Sequence, residues 1–276
     1  MASDKQRVDV ALVARGLASS REKAQALIMS GNVYLREVKI LKPSEMVAPA
    51  DTLSVKTPEH PFVGRGALKL DKALRVFSVE PAGMLALDIG AATGGFTDVL
   101  LQHGARHVYA IDVGYGQLDW KIRSDPRVTV MERTNARYLT ADHLHGQVPD
   151  ITVMDVSFIS VKLILPVAAM LMQHRGIFCI LIKPQFEAGR EHVGKKGVVR
   201  DARAHENVVR AIRDFAPEML YCMTMLDFSP IKGPEGNIEY VARLDPAADG
   251  LLPVTDEAIA ATVLAAHTNL DKTPIE

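Results

Sequence analysis

Residues 85–101 read LALDIGAATGGFTDVLL: a pentapeptide apolar except for Asp88, a turn carrying Gly90, Gly94 and Gly95, and an apolar-periodic stretch beginning at Phe96. Five apolar-rich residues without polar alternation predict a covered strand, and the periodic stretch predicts a helix. Glycine between them lets the backbone approach a ligand closely. The same alternation continues outward. Helix 67–77 precedes this strand, and helix 96–102, strand 107–111 and a short strand 128–131 follow it. Next come strand 151–156, helix 161–172, strand 177–182, helix 203–215 and two closing strands at 221–228 and 238–244. Strands that alternate with helices imply an α/β fold with a mostly parallel, doubly wound sheet and sites at the strands' carboxyl ends. The last two strands, joined by SPIKGPEGN, read as an antiparallel addition at one edge.

A chain of 276 residues can bury a sizeable core, and 48% hydrophobic with 24% charged residues is ordinary globular composition. The net charge of -1 carries no message about partners, so a nucleic-acid footprint has to be local. Cys179 and Cys222 lie in apolar stretches without metal-ligand spacing, which reads as reduced core thiols; no metal site is expected. The N-terminus lacks an apolar signal region and no window approaches a membrane span, so a cytoplasmic protein is expected.

KTPEHPF, at 56–62, places two prolines in a short polar stretch and reads as a linker. It divides a small unit, 1–57, from a linker at 58–63, a large unit at 64–246 and a tail at 247–276 with a short helix near 256–266. The small unit predicts a helix over 8–14 and a second, capped by Ser19 or Ser20, running through Ile28 and ended by Gly31. Strands follow at 33–35, 38–41 and 52–55. Nine basic and six acidic residues give this unit an excess of three positive charges. A solvated surface explains that count. The placement is more telling, because Arg15, Arg21 and Lys23 gather around the turn between the two helices, where they could meet phosphates together.

The pattern RVDVALVARGLASSREKAQALIMSGNVYLREV, at 7–38, resembles the small RNA-binding module named after a small-subunit ribosomal protein, also appended to pseudouridine synthases and tyrosyl-tRNA synthetases. The resemblance implies one RNA-binding surface, for which Arg7, Arg15, Arg21 and Lys23 are the candidates, with Arg65 just past the linker.

In the large unit, nicotinamide-binding turns normally carry glycine where this chain has Ala92 and lack the acidic residue at 88. The spacing Asp88-x-Gly90 instead resembles the S-adenosylmethionine loop of class I methyltransferases, which makes Asp88, Gly90, Ala91, Thr93, Gly94, Gly95 and Phe96 candidate cofactor residues. Asp112 closes the next strand, where a ribose-binding carboxylate belongs in such sheets; the plainer reading is a strand-end turn former. By the resemblance, Asn135 falls where methyltransferases contact the adenine or its surroundings.

Two further strand ends carry charge: Asp155 after DITVM and Lys183 after FCILI. Surface ion pairs are the commoner fate of such residues. Lys69 and Glu239 complete a Lys-Asp-Lys-Glu order that matches the tetrad of ribose 2'-O-methyltransferases resembling the heat-shock enzyme FtsJ. KPQFEAGRE, GVVRD and SPIKGPEGNIEYV extend the likeness, and the whole chain is similar to the TlyA family, whose members are called hemolysins and act as rRNA 2'-O-methyltransferases. Gly64, Ala67 and Lys196 depart from that family's pattern. The resemblance implies a class I, seven-stranded methyltransferase domain, S-adenosylmethionine as cofactor, and ribosomal RNA or ribosomal subunits as partner. It also implies roles: Lys183 as base toward a ribose hydroxyl, Lys69 as the nearby cation that makes a neutral amine accessible, Asp155 orienting Lys183, and Glu239 with Lys69 positioning the ribose. A non-catalytic RNA-binding assembly factor has no use for two lysines and two acids at strand ends. A pore-forming hemolysin conflicts with the lack of an export signal or membrane-length segment. A base methyltransferase normally shows D/N-P-P-Y/F where residues 155–158 read DVSF.

Overall fold

The computed structural model describes residues 5–29, 32–55 and 60–271, and the chain divides into two compact units, Met1–Gly64 and Arg65–Glu276. The expected helix stop at Gly31 and the linker residues 58 and 59 lie outside the described residues.

In the small unit, β1 (Gln6–Arg7) runs into α1 (Val8–Ala14), followed by α2 (Arg21–Met29), β2 (Val33–Leu35), β3 (Val38–Lys39), β4 (Met46–Val47) and β5 (Leu53–Val55). Ser20 caps α2 by accepting from the Lys23 amide at 3.2 Å. β2 sits between β3 and β5, both antiparallel to it, and β1 pairs with β4. The β1–β4 pair is too short to leave an alternating pattern, which is why the sequence does not announce it. Val8, Leu12, Ala24, Ile28, Val33, Ile40 and Val47 form the core of this unit.

The large unit is an α/β sandwich around one seven-stranded sheet. Its elements are α3 (Ala67–Val76), β6 (Leu85–Ile89), α4 (Gly95–Gln102), β7 (His107–Ile111), α5 (Trp120–Arg123) and β8 (Val128–Met131). Then follow β9 (Ile151–Met154), α6 (Leu165–Leu171), β10 (Ile177–Ile182), α7 (Pro184–Glu187), α8 (Ala202–Phe215), β11 (Tyr221–Phe228), β12 (Tyr240–Pro246) and α9 (Asp256–Leu270). The order is β11-β12-β10-β9-β6-β7-β8, with β12 antiparallel to both of its neighbours and the other pairs parallel. β6, next to the reversal of strand order, is buried at all five positions, as its apolar run predicts.

Several boundaries move for identifiable reasons. The expected helix 161–172 is a 3-10 turn, Val161–Leu163, and then α6, because Pro166 suits only the first turn of a helix. The closing strand starts at Tyr240 rather than at 238, since the Gly233 amide donates to the Asn237 carbonyl and keeps that approach in a tight loop. Strand β9 stops at Met154, which frees Asp155 to leave the sheet. The tail helix α9 continues to Leu270 because Ile259, Val263, Ala266 and Leu270 pack one face into the main core.

The glycine turn is built by packing. Gly90 adopts φ +87°, and a Cβ there would lie 2.6 Å from the Asp155 carbonyl oxygen. Gly94, at φ +91°, abuts Leu118 and Ile122; a Cβ on Gly95 would lie 3.1 Å from the Ala67 nitrogen, where α3 crosses α4. Beneath the turn, Asp88 is fully buried and accepts the Thr97 hydroxyl at 2.6 Å, while its Oδ1 has no partner. Burial pushes this carboxyl from 3.8 to about 7, against the Thr97 hydrogen bond and with the help of the nearby Asp155 charge.

Two outcomes follow from this turn. Gly90→Ala is expected to destabilise by about 1–2 kcal/mol through the left-handed backbone and by roughly 1–3 more through overpacking, read by urea denaturation. Because the folded state binds the Asp88 proton more tightly than the unfolded chain, its contribution to stability is complete below 3.8 and lost as pH rises through about 7. Thermal melts across that window are expected to show a shallower fall for Asp88→Asn than for wild type, the two differing by at most about 4 kcal/mol in pH-dependent stability.

Candidate active site

Strand β10 carries its apolar run, one residue half-buried and five buried, straight to Lys183, and Pro184, which has no N–H to offer the ladder, opens α7 immediately afterward. Parallel pairing of β10 with β9 sets Ile180 against Met154, so Lys183 and Asp155 emerge side by side. Asp155 is pinned in turn to β6, its amide donating to the Ile89 carbonyl at 3.0 Å. Lys69 arrives from α3, and Glu239 from the residue just ahead of β12.

Their side chains meet. Lys183 Nζ forms an ion pair with Asp155 Oδ1 at 2.5 Å and donates to Ser157 Oγ at 2.9 Å. Lys69 Nζ lies 3.8 Å from Asp155 Oδ2 and donates to Glu239 Oε2 at 2.5 Å. One carboxylate thus stands between the two ammonium groups, and a second closes the far side. Lys69, Lys183 and Glu239 are 5%, 8% and 1% exposed, so the surface-ion-pair alternative does not describe them. Burial alone would lower the Lys69 ammonium, but the Asp155 and Glu239 charges outweigh it and raise its pKa, which keeps Lys69 cationic.

Beside this cluster, a cavity of about 310 Å³ opens at the strand ends. Ile89, Ile111, Val156, Ile159 and Ile164 give it apolar walls, and Gly90, Asp112, Asn135 and Asp155 contribute the polar features. Asp112 accepts the Ala92 amide on Oδ2 at 2.8 Å and the Gly114 amide on Oδ1 at 2.6 Å, which fixes its carboxylate at the rim. Asn135 accepts the Arg137 amide at 3.1 Å. An apolar slot with a fixed carboxylate and an amide suits a nucleoside, with the base against the walls and a ribose diol on the acid.

Of the residues singled out for a cofactor, Gly90, Asp112 and Asn135 line this cavity. Asp88, Ala91, Thr93, Gly94, Gly95 and Phe96 do not; they build the turn behind it, with Phe96 buried in α4. Glycine at 90 answers to the Asp155 backbone, so close approach to a ligand is not its only reason. Sequence reading passed over Ala92 and Gln117, which line the cavity, and Ser157, which holds Lys183. It also passed over Gly233, where a Cβ would lie 2.6 Å from Glu239 Oε1. Glu187, on α7, accepts from Ser160 Oγ at 2.7 Å and the Val161 amide at 2.8 Å; it secures the loop that follows Asp155, and burial raises its carboxyl above the usual range. Of these, Ser157 alone stands within two residues of a strand-end charge, Asp155.

The proposed RNA contacts fare unequally. Arg15 donates to the backbone carbonyls of Asp51, Ala48 and Pro49, an internal task for its guanidinium. Arg7 and Arg21 both reach Asp9, while Lys23 and Arg65 are exposed. Of the expected cluster of Arg15, Arg21 and Lys23, Arg15 is thus engaged with the loop ahead of β5, whereas Arg21 meets Arg7 at Asp9.

Residues 62–245 match the FtsJ-like methyltransferase family, and residues 6–53 match the S4 domain. The chain is 45% identical, over 89% of its length and 92% of the relative's, to the 16S/23S rRNA (cytidine-2'-O)-methyltransferase TlyA of Mycobacterium tuberculosis. It is 38% identical to Hemolysin A of Brachyspira hyodysenteriae, over 86% of this chain and 98% of that one. A solved structure from Streptococcus thermophilus, provisionally described as a hemolysin, superposes with a TM-score of 0.76 at 42% identity and 98% coverage of both chains. Together with the seven-stranded sheet and the convergent Lys-Asp-Lys-Glu cluster, these matches establish that the chain belongs to the FtsJ-like methyltransferase family, in its TlyA branch, with an S4 domain ahead of the catalytic domain.

Proposed function

We propose that this protein transfers a methyl group from S-adenosylmethionine to a ribose 2'-hydroxyl of ribosomal RNA, with Lys183 accepting the hydroxyl proton. The observation that carries the reading is the shared Asp155 carboxylate, paired with Lys183 on one oxygen and facing Lys69 on the other, at the wall of a nucleoside-sized cavity. A ribose hydroxyl is a poor acid, so a positioned base is the contribution the protein has to make.

Asp112 would hold the cofactor's ribose, and Gly90, Ile111 and Asn135 would flank its base. Bound there, S-adenosylmethionine would supply a sulfonium-activated methyl group for the ribose oxygen. Lys183, in its neutral form, takes the 2'-hydroxyl proton on Nζ. The ion pair with Asp155 and the hydrogen bond to Ser157 restrict the rotation of that amine. Lys69 keeps the fixed positive charge, and Glu239, braced against Gly233 and accepting from Gln185 Nε2 at 3.3 Å, holds Lys69 in place.

The S4 domain supports an RNA substrate, and TlyA of Mycobacterium tuberculosis, named for the cytidine 2'-oxygen of 16S and 23S rRNA, supports ribosomal RNA and the ribose position. The residues 155–158, DVSF, lack the paired prolines usual for amino-group methylation of bases.

Lys183→Ala is expected to lower methyl transfer to ribosomal subunits by at least about 100-fold, while S-adenosylmethionine binding measured by calorimetry stays within about threefold of wild type. Asp112→Ala is expected to show the opposite emphasis, losing cofactor affinity first. Equal methylation by wild type and Lys183→Ala would remove the base assignment. Mass mapping of ribose methyl groups on rRNA from cells with and without the gene tests the reaction itself; identical maps would favour an assembly factor that does no chemistry.

A further inference from the structure

Asp9, in the first turn of α1, is a carboxylate with no solvent exposure, packed beside Val8, Ala11 and Leu12. A buried charge in so small a unit is costly unless its hydrogen bonds are met, and here donors from two elements meet them. Arg7, at the end of β1, donates Nε to Oδ1 at 3.0 Å and a terminal nitrogen to Oδ2 at 2.9 Å. Arg21, the first residue of α2, donates Nε to Oδ2 at 3.1 Å, and Gln25, one turn later, donates Nε2 to the same oxygen at 2.9 Å. These donors hold the Asp9 carboxyl far below the usual range, the Arg7 bond contributing most and more than offsetting burial.

The buried acid joins two side chains whose outer halves stay in solvent: Arg7 and Arg21 are 41% and 54% exposed. Each guanidinium has five donors in a planar fork and spends only one edge on Asp9, which leaves the remaining donors for another acceptor. Long arginine side chains otherwise lose rotamer freedom when they bind, and ordering them in advance removes that cost from the binding step.

We propose that Asp9 is a positioning residue for RNA binding, holding Arg7 and Arg21 as a preorganised pair for backbone phosphates of ribosomal RNA. The proposal rests on the reading of this module as an rRNA-binding domain. It makes a prediction that runs against simple electrostatics. Removing an acid beside a phosphate-binding surface adds a unit of positive charge and should tighten RNA binding if charge alone mattered. If Asp9 positions the arginines, removing it loosens binding.

The test uses the full chain with purified 30S and 50S subunits, with affinity read by sedimentation at fixed salt. Asp9→Asn is expected to weaken binding to the cognate subunit about tenfold, and to have no further effect in an Arg7→Ala, Arg21→Ala background, because the single role is already gone. A charge-preserving Arg7→Lys, Arg21→Lys variant, which removes the fork but leaves Asp9 intact, serves if Asp9→Asn fails to fold; it is expected to bind as weakly as the alanine pair. Wild-type affinity in the lysine pair, equal or tighter binding by Asp9→Asn, or the same loss from Asp9→Asn in both backgrounds overturns the positioning role. Loss in the alanine pair with none in Asp9→Asn removes that role while sparing the RNA-binding reading. No loss in either removes both.

Discussion

One tight backbone contact in the large unit, between Gly90 and Asp155, joins the glycine turn to the lysine–carboxylate cluster. Gly90 follows β6 and opens the glycine turn, and its α-carbon faces the Asp155 carbonyl with no room for a side chain. The Asp155 amide returns a hydrogen bond to Ile89. The cavity at the strand ends and the acid between the two lysines are therefore positioned by the same few atoms. Parallel pairing of β9 with both β6 and β10 makes that coupling rigid, since the three strand ends are held in register by the sheet.

Charge then decides what the rigid frame can do. Two ammonium and two carboxylate groups occupy one nearly dry cluster, and each is paired, which is the condition under which burial of ions is tolerated. The arrangement is asymmetric. Lys69 has Glu239 to itself and a share of Asp155, and its ammonium is reinforced; Lys183 has the other oxygen of Asp155 and the Ser157 hydroxyl. Two identical residue types are thereby given different surroundings, Lys69 between two carboxylates and Lys183 between a carboxylate and a hydroxyl. Support continues outward through Tyr240, next to Glu239, whose hydroxyl meets His205 Nδ1 at 2.8 Å, and through Asn237, which ties the loop at Gly197 and Val199 to the approach of β12. Burial keeps His205 neutral, lowering it to about 4, so it can accept from Tyr240 while its other nitrogen meets the Val199 carbonyl at 3.0 Å.

The small unit repeats the logic with fewer parts. Asp9 is as buried as any core leucine, yet what it organises is on the surface, two arginines from different elements. Arg15, which looks equivalent to Arg21 in sequence, instead binds carbonyls of the loop ahead of β5. Linear spacing cannot separate the two cases, because each depends on which backbone returns past the helix.

What the residues determined alone was the succession of elements and the types of group at their ends. Apolar runs of strand length, interrupted by glycine turns and followed by helical periodicity, specify a doubly wound sheet because each pattern can bury its apolar side only in that layered form. Asp88, Asp112, Asp155 and Lys183 stood out because a charge at the tip of a covered strand is locally visible. Folding decided which of these meet. It sent Asp88 beneath the turn and Asp112 to the cavity rim, and brought Lys69 and Glu239, 170 positions apart, to 2.5 Å. The reason is physical: periodicity reports which face of an element is buried, whereas distances between side chains on different strands depend on sheet order and register, and these are fixed by contacts remote in the chain.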